Sequence, residues 1–192
     1  MRQVTIVGAG ALGSHLALFL RNVDCRLMLI DHDRVLAKNV KAQFHTKMGI
    51  GRFKVEALRA AFQGMFHLKV DVRPLKLIEG NVEVLLDSAD LVIDCTDNIQ
   101  AREIIQRHCL SAPLPCLHCC LSGDGDFARL VWTEEFDADA EPELGQETCE
   151  DGEGLPFYVQ AAALAAQVTQ LYLNKYVKQC WQATPFSVIR LA

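Results

Sequence analysis

An apolar run, Val4-Thr5-Ile6-Val7, leads directly into Gly8-Ala9-Gly10-Ala11-Leu12-Gly13. A helix-period stretch follows, and a second apolar run, Leu27-Met28-Leu29-Ile30, ends at Asp31. Few folds accept that order of pieces. It predicts a strand, a glycine turn, a helix and a second strand with an acid at its carboxyl end, which is the opening unit of a doubly wound α/β sheet. Gly8 permits the tight turn, Gly10 lets the backbone approach a phosphate, and Gly13 lets the helix pack closely on the strand. The helix amino terminus offers N–H groups to an anion, and Asp31 is placed to accept hydrogen bonds from ribose hydroxyls. The expected ligand is a nucleotide, with a dinucleotide such as NAD as the default.

The rest of the chain extends the pattern. Phe19 and Leu20 join Leu16 on helical spacing, and Lys54 to Met65 reads as a helix with an apolar stripe of Val55, Leu58, Ala61 and Phe62. His67 to Val72 alternates as a strand, Asn81 to Leu86 reads as a short helix, and Leu91-Val92-Ile93 as a buried strand. Ile99 to Leu110 is predicted helical. Pro115 to Leu121 and Phe127 to Trp132 are predicted strands, Tyr158 to Lys178 a long Ala-rich helix, and Phe186 to Leu191 a last strand. The expected architecture is one domain over residues 1–192, mostly parallel, with a less parallel C-terminal part.

Composition narrows the function classes. Half the residues are hydrophobic (51%), as a sheet buried on both faces requires, yet no stretch approaches a membrane span of roughly 20 residues. The start lacks the form of a signal peptide, so a cytoplasmic protein is expected. Ten acids and no Lys or Arg fall between Glu134 and Glu153, leaving 14 acids against 19 Lys and Arg elsewhere. The body is mildly basic, which suits phosphate but is no nucleic-acid footprint. The acidic run reads as a solvated loop over about 134–156. Of the eight cysteines, Cys116 and Cys119 form one C-x-x-C with no second one to complete a four-thiolate site. Structural zinc is therefore not expected, and reduced core thiols are.

Four further features fall where such sheets bind ligands, at the carboxyl ends of strands. Asp33 follows Asp31 in a D-x-D. Asn39 and Gln43 form an N-x-x-x-Q in the long segment between Asp33 and Met48. Lys54 stands behind Gly51, and Asp94-Cys95-Thr96-Asp97-Asn98 closes a buried strand. Together with the glycine turn, these resemble the ThiF/HesA/MoeB family of ubiquitin-activating-type adenylyltransferases, over nearly the whole chain. The resemblance implies a Rossmann-like sheet that binds ATP and Mg²⁺. It also implies AMP transfer to the C-terminal glycine carboxylate of a small ubiquitin-fold carrier, with release of pyrophosphate, in a homodimer. By the same resemblance Gly8, Gly10 and Gly13 cradle phosphate, Asp31 holds the ribose, Asn39 and Lys54 contact the phosphates with Lys54 the main positive charge, and Asp33 and Gln43 are also cofactor-binding. Asp97 would hold Mg²⁺, while Asp94 fixes its loop. Cys149, in Cys149-Glu150-Asp151-Gly152, matches a cysteine that some members use in sulfur transfer or conjugation. Glu147, Glu150, Asp151 and Glu153 around it oppose a thiolate. Arg102 and Arg107 read as surface residues of a helix.

The chain departs from the family at two points. Ala42 stands where an arginine usually precedes the glutamine, and Lys41 cannot reproduce its bidentate contact. The N-terminal arginine that members bring to a partner subunit has no counterpart unless Arg2 supplies it. An active adenylyltransferase, a catalytically weak nucleotide- or carrier-binding subunit, and an NAD-dependent oxidoreductase therefore all remain open at this point.

Overall fold

The computed structural model describes residues 1–122, 125–137 and 152–191. Its sheet begins at β1 (Arg2–Val7), which pairs in parallel with β2 (Cys25–Ile30) on one side and β4 (Leu91–Asp94) on the other. β3 (Asp71–Arg73) extends the sheet beyond β2, and β5 (Cys116–Leu121) extends it beyond β4, both in parallel. The chain then reverses. β6 (Ala128–Trp132), β7 (Trp181–Thr184) and β8 (Ser187–Arg190) add antiparallel, giving the order β3-β2-β1-β4-β5-β6-β7-β8. The less parallel C-terminal part is thus a three-strand extension of the same sheet.

Alternation along β1 explains why its residues are buried on both sides. Val4 and Ile6 face a core shared with α1 (Ala11–Phe19), α2 (Lys54–Phe66) and α5 (Leu155–Lys175). Val7 joins Met28, Ile30 and Val92 against α3 (Val82–Leu86) and α4 (Ile99–Ser111) on the other face. Ala161, Ala162, Ala165 and Ala166 of α5 are buried in the first core, and small side chains there let α5 lie close to α1.

Element boundaries depart from expectation in three places. α2 continues to Phe66 and is closed by His67 in the left-handed region (φ 54), so the strand predicted from His67 begins only at Asp71. α5 starts at Leu155, with a proline in its first turn, and ends where Tyr176 turns left-handed (φ 56) rather than at Lys178. The predicted last strand proves to be the second arm of a β7–β8 hairpin, whose first arm carries no clear alternation. Most of the acidic run, residues 138–151, lies outside the described residues.

Strand order places the binding crevice. The chain runs outward from β1 to β2 and β3, then returns to β4 on the opposite side of β1. Between the carboxyl ends of β1 and β4 the connections diverge, and an open α/β sheet binds ligands at that point.

Candidate nucleotide site

The glycine turn fits the crevice because two of its glycines touch backbone. A Cβ on Gly8 (φ 95) would lie 2.6 Å from the Cys95 carbonyl oxygen, and one on Gly13 would lie 1.9 Å from that of Gly8. Any side chain at either position would force β1, β4 and α1 apart. Gly10 differs. A Cβ there would meet only the Gln43 amide nitrogen, at 4.0 Å, so the space over the amino end of α1 is open. No side chain caps that end of the helix, and its N–H groups are left for an anion.

Asp31 ties this turn to β2. One carboxylate oxygen accepts the Ala9 N–H at 2.7 Å, and the other accepts the Asp33 N–H, also at 2.7 Å. Burial pushes its pKa up, against the pull of Lys54 and of those two N–H groups. The expected ribose ligand is therefore first a brace of the glycine turn, and only remaining lone pairs face outward.

Lys54, the first residue of α2, is buried to 6% exposure, and its Nζ lies 2.9 Å from Asp33 Oδ2. Its backbone N–H donates to the Asp33 carbonyl, the Val35 N–H donates to the Arg52 carbonyl, and Arg34 pairs with Phe53 in a short antiparallel bridge. The long segment after β2 thus folds back and fixes the start of α2. Burial alone would raise the Asp33 pKa, but the hydrogen bond and charge of Lys54 outweigh it and hold the carboxyl below its ordinary value. Asp31, His32 and Asp33 bring their ligand atoms within 4.8 Å of one another, and Asp97 lies outside that group.

Asn39 is buried and its Oδ1 accepts the Leu36 N–H at 2.8 Å, closing a 3₁₀ turn over Ala37–Lys41. It organises the loop that delivers Gln43, whose Oε1 is buried with no partner. Ala42 is fully buried and Lys41 exposed, so Lys41 does not replace the arginine expected there. Sequence reasoning missed His45, which lies 3.0 Å from the Ala9 carbonyl through Nε2. Burial lowers its pKa to about 4, so it is neutral and donates to the glycine turn from below. Nothing in its local spacing marks that role.

At the end of β4, Asp94 is sealed. Its Oδ1 accepts both the Thr96 N–H (2.9 Å) and the Thr96 hydroxyl (2.7 Å), while Oδ2 lies 2.8 Å from His118 Nδ1. Arg102 reads as a surface residue in the sequence, but the structure corrects this. It is 2% exposed, lies 3.6 Å from Asp94 Oδ2, and donates to the carbonyls of Thr96 and Cys119. Arg107 is exposed and pairs with Glu79, as expected of a surface residue. Burial would raise the Asp94 pKa, but Arg102 and His118 reverse the shift and bring it to about 2. Asn98, not Asp97, caps α4 by accepting the Ala101 N–H, and Asp97 is exposed.

A small hard ion that keeps several waters needs one or two carboxylates beside phosphate oxygens, not a preformed cage, and the exposed Asp97, one residue past the Thr96 nitrogen that neighbours Gly8, is a candidate to supply one. His118 commits both ring nitrogens, to Asp94 and to Thr133 Oγ1 at 2.9 Å. Burial raises the Cys116 and Cys119 thiols well above their ordinary pKa, as in unreactive core cysteines. Arg2 sits at the amino end of β1 against Leu173 and the Tyr176 ring, the opposite end of the strand from the crevice. Cys149 lies outside the described residues.

A glycine turn at a topological switch point, with an acid on the next strand and a buried lysine beside it, defines a Rossmann-like α/β protein with a candidate nucleotide site. The ThiF family model matches residues 1–175, and the chain belongs to the ThiF family. It is 32% identical over 116 residues to the molybdopterin-synthase adenylyltransferase of Escherichia coli, covering 59% of this chain and 47% of that protein. It is 31% identical to the adenylyltransferase and sulfurtransferase MOCS3 of Aedes aegypti, over 59% of this chain and 26% of that one. The chain thus spans half or less of these relatives. Among solved structures, E. coli MccB with MccA-N7isoASN superposes at a TM-score of 0.81 with 17% identity, covering 99% of this chain and 64% of that one. E. coli TcdA in complex with AMP superposes at 0.60 with 21% identity, over 67% and 55% of the two chains. Likeness at such identities speaks for the fold.

Proposed function

We propose that this protein adenylylates the C-terminal glycine carboxylate of a small ubiquitin-fold carrier. The carboxylate oxygen attacks the α-phosphorus of ATP, the bond to the β-phosphate oxygen breaks, and pyrophosphate leaves with the displaced electron pair. The observation that carries this reading is the buried Lys54 held by a half-exposed Asp33 at 2.9 Å. A lysine so placed is a positive charge stored beside the anion site, and its counter-ion can yield it to an incoming phosphate. Two like-charged reactants meet in this step, so positioning and charge neutralisation supply most of the catalysis.

Each residue then has a task. Gly10 and the amino end of α1 receive phosphate oxygens in the open space over the turn. Gln43 offers its amide across that space. Asp31 keeps the turn rigid and Asp33 delivers Lys54. Mg²⁺, held through Asp97, would neutralise phosphate charge when bound. The relatives named as adenylyltransferases support this assignment. ATP–pyrophosphate exchange with a purified carrier ending in glycine tests it: exchange that depends on both ATP and the carrier tail is expected.

One observation favours a second reading. The buried Ala42 leaves the phosphate loop short of an arginine, and Lys41 faces solvent. A subunit that binds nucleotide or carrier with little turnover would bind ATP but give no exchange.

A further inference from the structure

The Asp94–Arg102 pair is longer than a charge-assisted hydrogen bond should be. At 3.6 Å it lies well beyond the roughly 2.7–2.9 Å such bonds adopt. His118 and Arg102 approach the same oxygen: His118 Nδ1 takes Oδ2 at 2.8 Å, while the guanidinium nitrogen facing it, Nη1, lies 2.6 Å from Cys120 Sγ, and Oδ1 keeps both bonds to Thr96. His118 is itself fixed twice, by Thr133 Oγ1 at 2.9 Å and by Phe136, whose ring stacks on the imidazole at 4.0 Å between centroids. Arg102 completes the clamp by holding the Thr96 carbonyl from α4. Asp94 at the end of β4 and Arg102 from α4 thus both hold Thr96, the residue that precedes Asp97, and His118 from β5 acts on it through Asp94.

We infer that His118 is a positioning residue for the metal loop: by setting the rotation of the Asp94 carboxylate it fixes Thr96 and, through it, the place of Asp97. This deepens the adenylylation reading, on which the assignment of Asp97 rests. Without the imidazole, Oδ2 loses its shortest contact and the Asp94 carboxylate is free to rotate, loosening the bonds Oδ1 makes to Thr96. The glycine turn meets this loop at Cys95, on which Gly8 packs, and the Cys95 N–H is held separately by the Val7 carbonyl at 2.8 Å, so the turn keeps a support that does not pass through His118. Groups that orient a metal-binding carboxylate typically cost 10- to 100-fold in metal affinity when lost. The site also ties the metal loop to Thr133 and Phe136, where the chain leaves β6 toward the acidic run.

The test uses the full chain and ATP as the probe, titrated calorimetrically at a series of Mg²⁺ concentrations and again in excess chelator. His118→Leu should raise the Mg²⁺ midpoint of ATP binding by about tenfold or more, while affinity in chelator stays within about twofold. His118→Asn, whose amide nitrogen can replace Nδ1–H toward Asp94, should recover most of the shift. A folded His118→Leu protein with an unchanged midpoint overturns the inference. So does a parallel fall in metal-free affinity, which would mark general damage. Should His118→Leu fail to fold, the near-isosteric Thr96→Val removes one Asp94 bond and should move the midpoint the same way; no movement overturns the inference. ATP–pyrophosphate exchange by the unaltered protein separates the two claims. A Mg²⁺ shift without any exchange upholds the positioning role and sinks the adenylylation reading alone.

Discussion

Two carboxylate–cation pairs stand at the carboxyl ends of β2 and β4, the strands on either side of β1, and they do opposite things. Asp33 and Lys54, beyond β2, make a 2.9 Å contact in which the acid is half exposed. Asp94 and Arg102, beyond β4, are sealed at 3.6 Å, with Asp94 bonded to Thr96 and His118 and Arg102 to Cys120 Sγ and the carbonyls of Thr96 and Cys119. An exposed carboxylate can give up its partner to a ligand at little cost, because water screens and replaces it. A buried one cannot, because either charge left alone inside the protein is costly. On the proposed function the first pair is therefore a reservoir of charge for chemistry, and the second a fastening for the backbone that carries Asp97.

The sealed pair should give the largest effect on stability. Asp94→Asn leaves Arg102 buried without a countercharge, and a loss of about 3–5 kcal/mol in chemical unfolding is expected. A loss under about 1 kcal/mol would mean that the pair is not structural. Lys54→Ala breaks the comparison from the other side. It should lower adenylylation by about 10²- to 10³-fold, the usual cost of one preorganised electrostatic contact, with the fold intact by circular dichroism. Unchanged pyrophosphate release would remove Lys54 from the mechanism.

Acid should distinguish the two regions further. His45 has a folded pKa of about 4 against an ordinary 6.5, so the unfolded chain binds a proton there that the folded one does not. Stability is full above pH 6.5 and falls as pH drops toward 4, by up to about 1.4 kcal/mol per pH unit for one proton. Asp94, held near 2, contributes stability above the ordinary carboxylate range that is lost only as pH falls through about 2. Unfolding followed from pH 7 to pH 4 should therefore weaken the glycine turn's support before it touches the Asp94 clamp, and His45→Gln should flatten the slope. The smallest effect is expected at Cys149. Its acidic neighbours disfavour a thiolate, so Cys149→Ala should leave adenylylation within about twofold. A stop in AMP transfer would show that this thiol takes part.

How much the sequence disclosed follows the same division. The glycine turn, Asp31, Asp33 and Lys54 are legible because each depends on spacing along one strand–turn–helix unit. Arg102 is not, because a charged residue on a helix is by default a surface residue. A signal did exist: Arg102, Ile105 and Cys109 fall on one helical stripe, and all three are buried. His118 hid among cysteines in a strand, where alternation separates it from Leu117 and Cys119 but cannot reveal partners from β4 and β6. Asp31 stands just past β2 as its sequence position implies, but its bond to the Ala9 N–H is not legible, since those groups become neighbours only when β1 and β2 pair. β7 was missed because four residues without alternation carry no period.

Calorimetric titration of the purified protein with ATP and Mg²⁺, and separately with NAD, tests the central claim most directly. The account predicts that ATP binds, that binding weakens when Mg²⁺ is removed, and that NAD binds poorly or not at all. Preference for NAD, with no response to Mg²⁺, would contradict it and leave Lys54 and Asp97 without the task assigned to them.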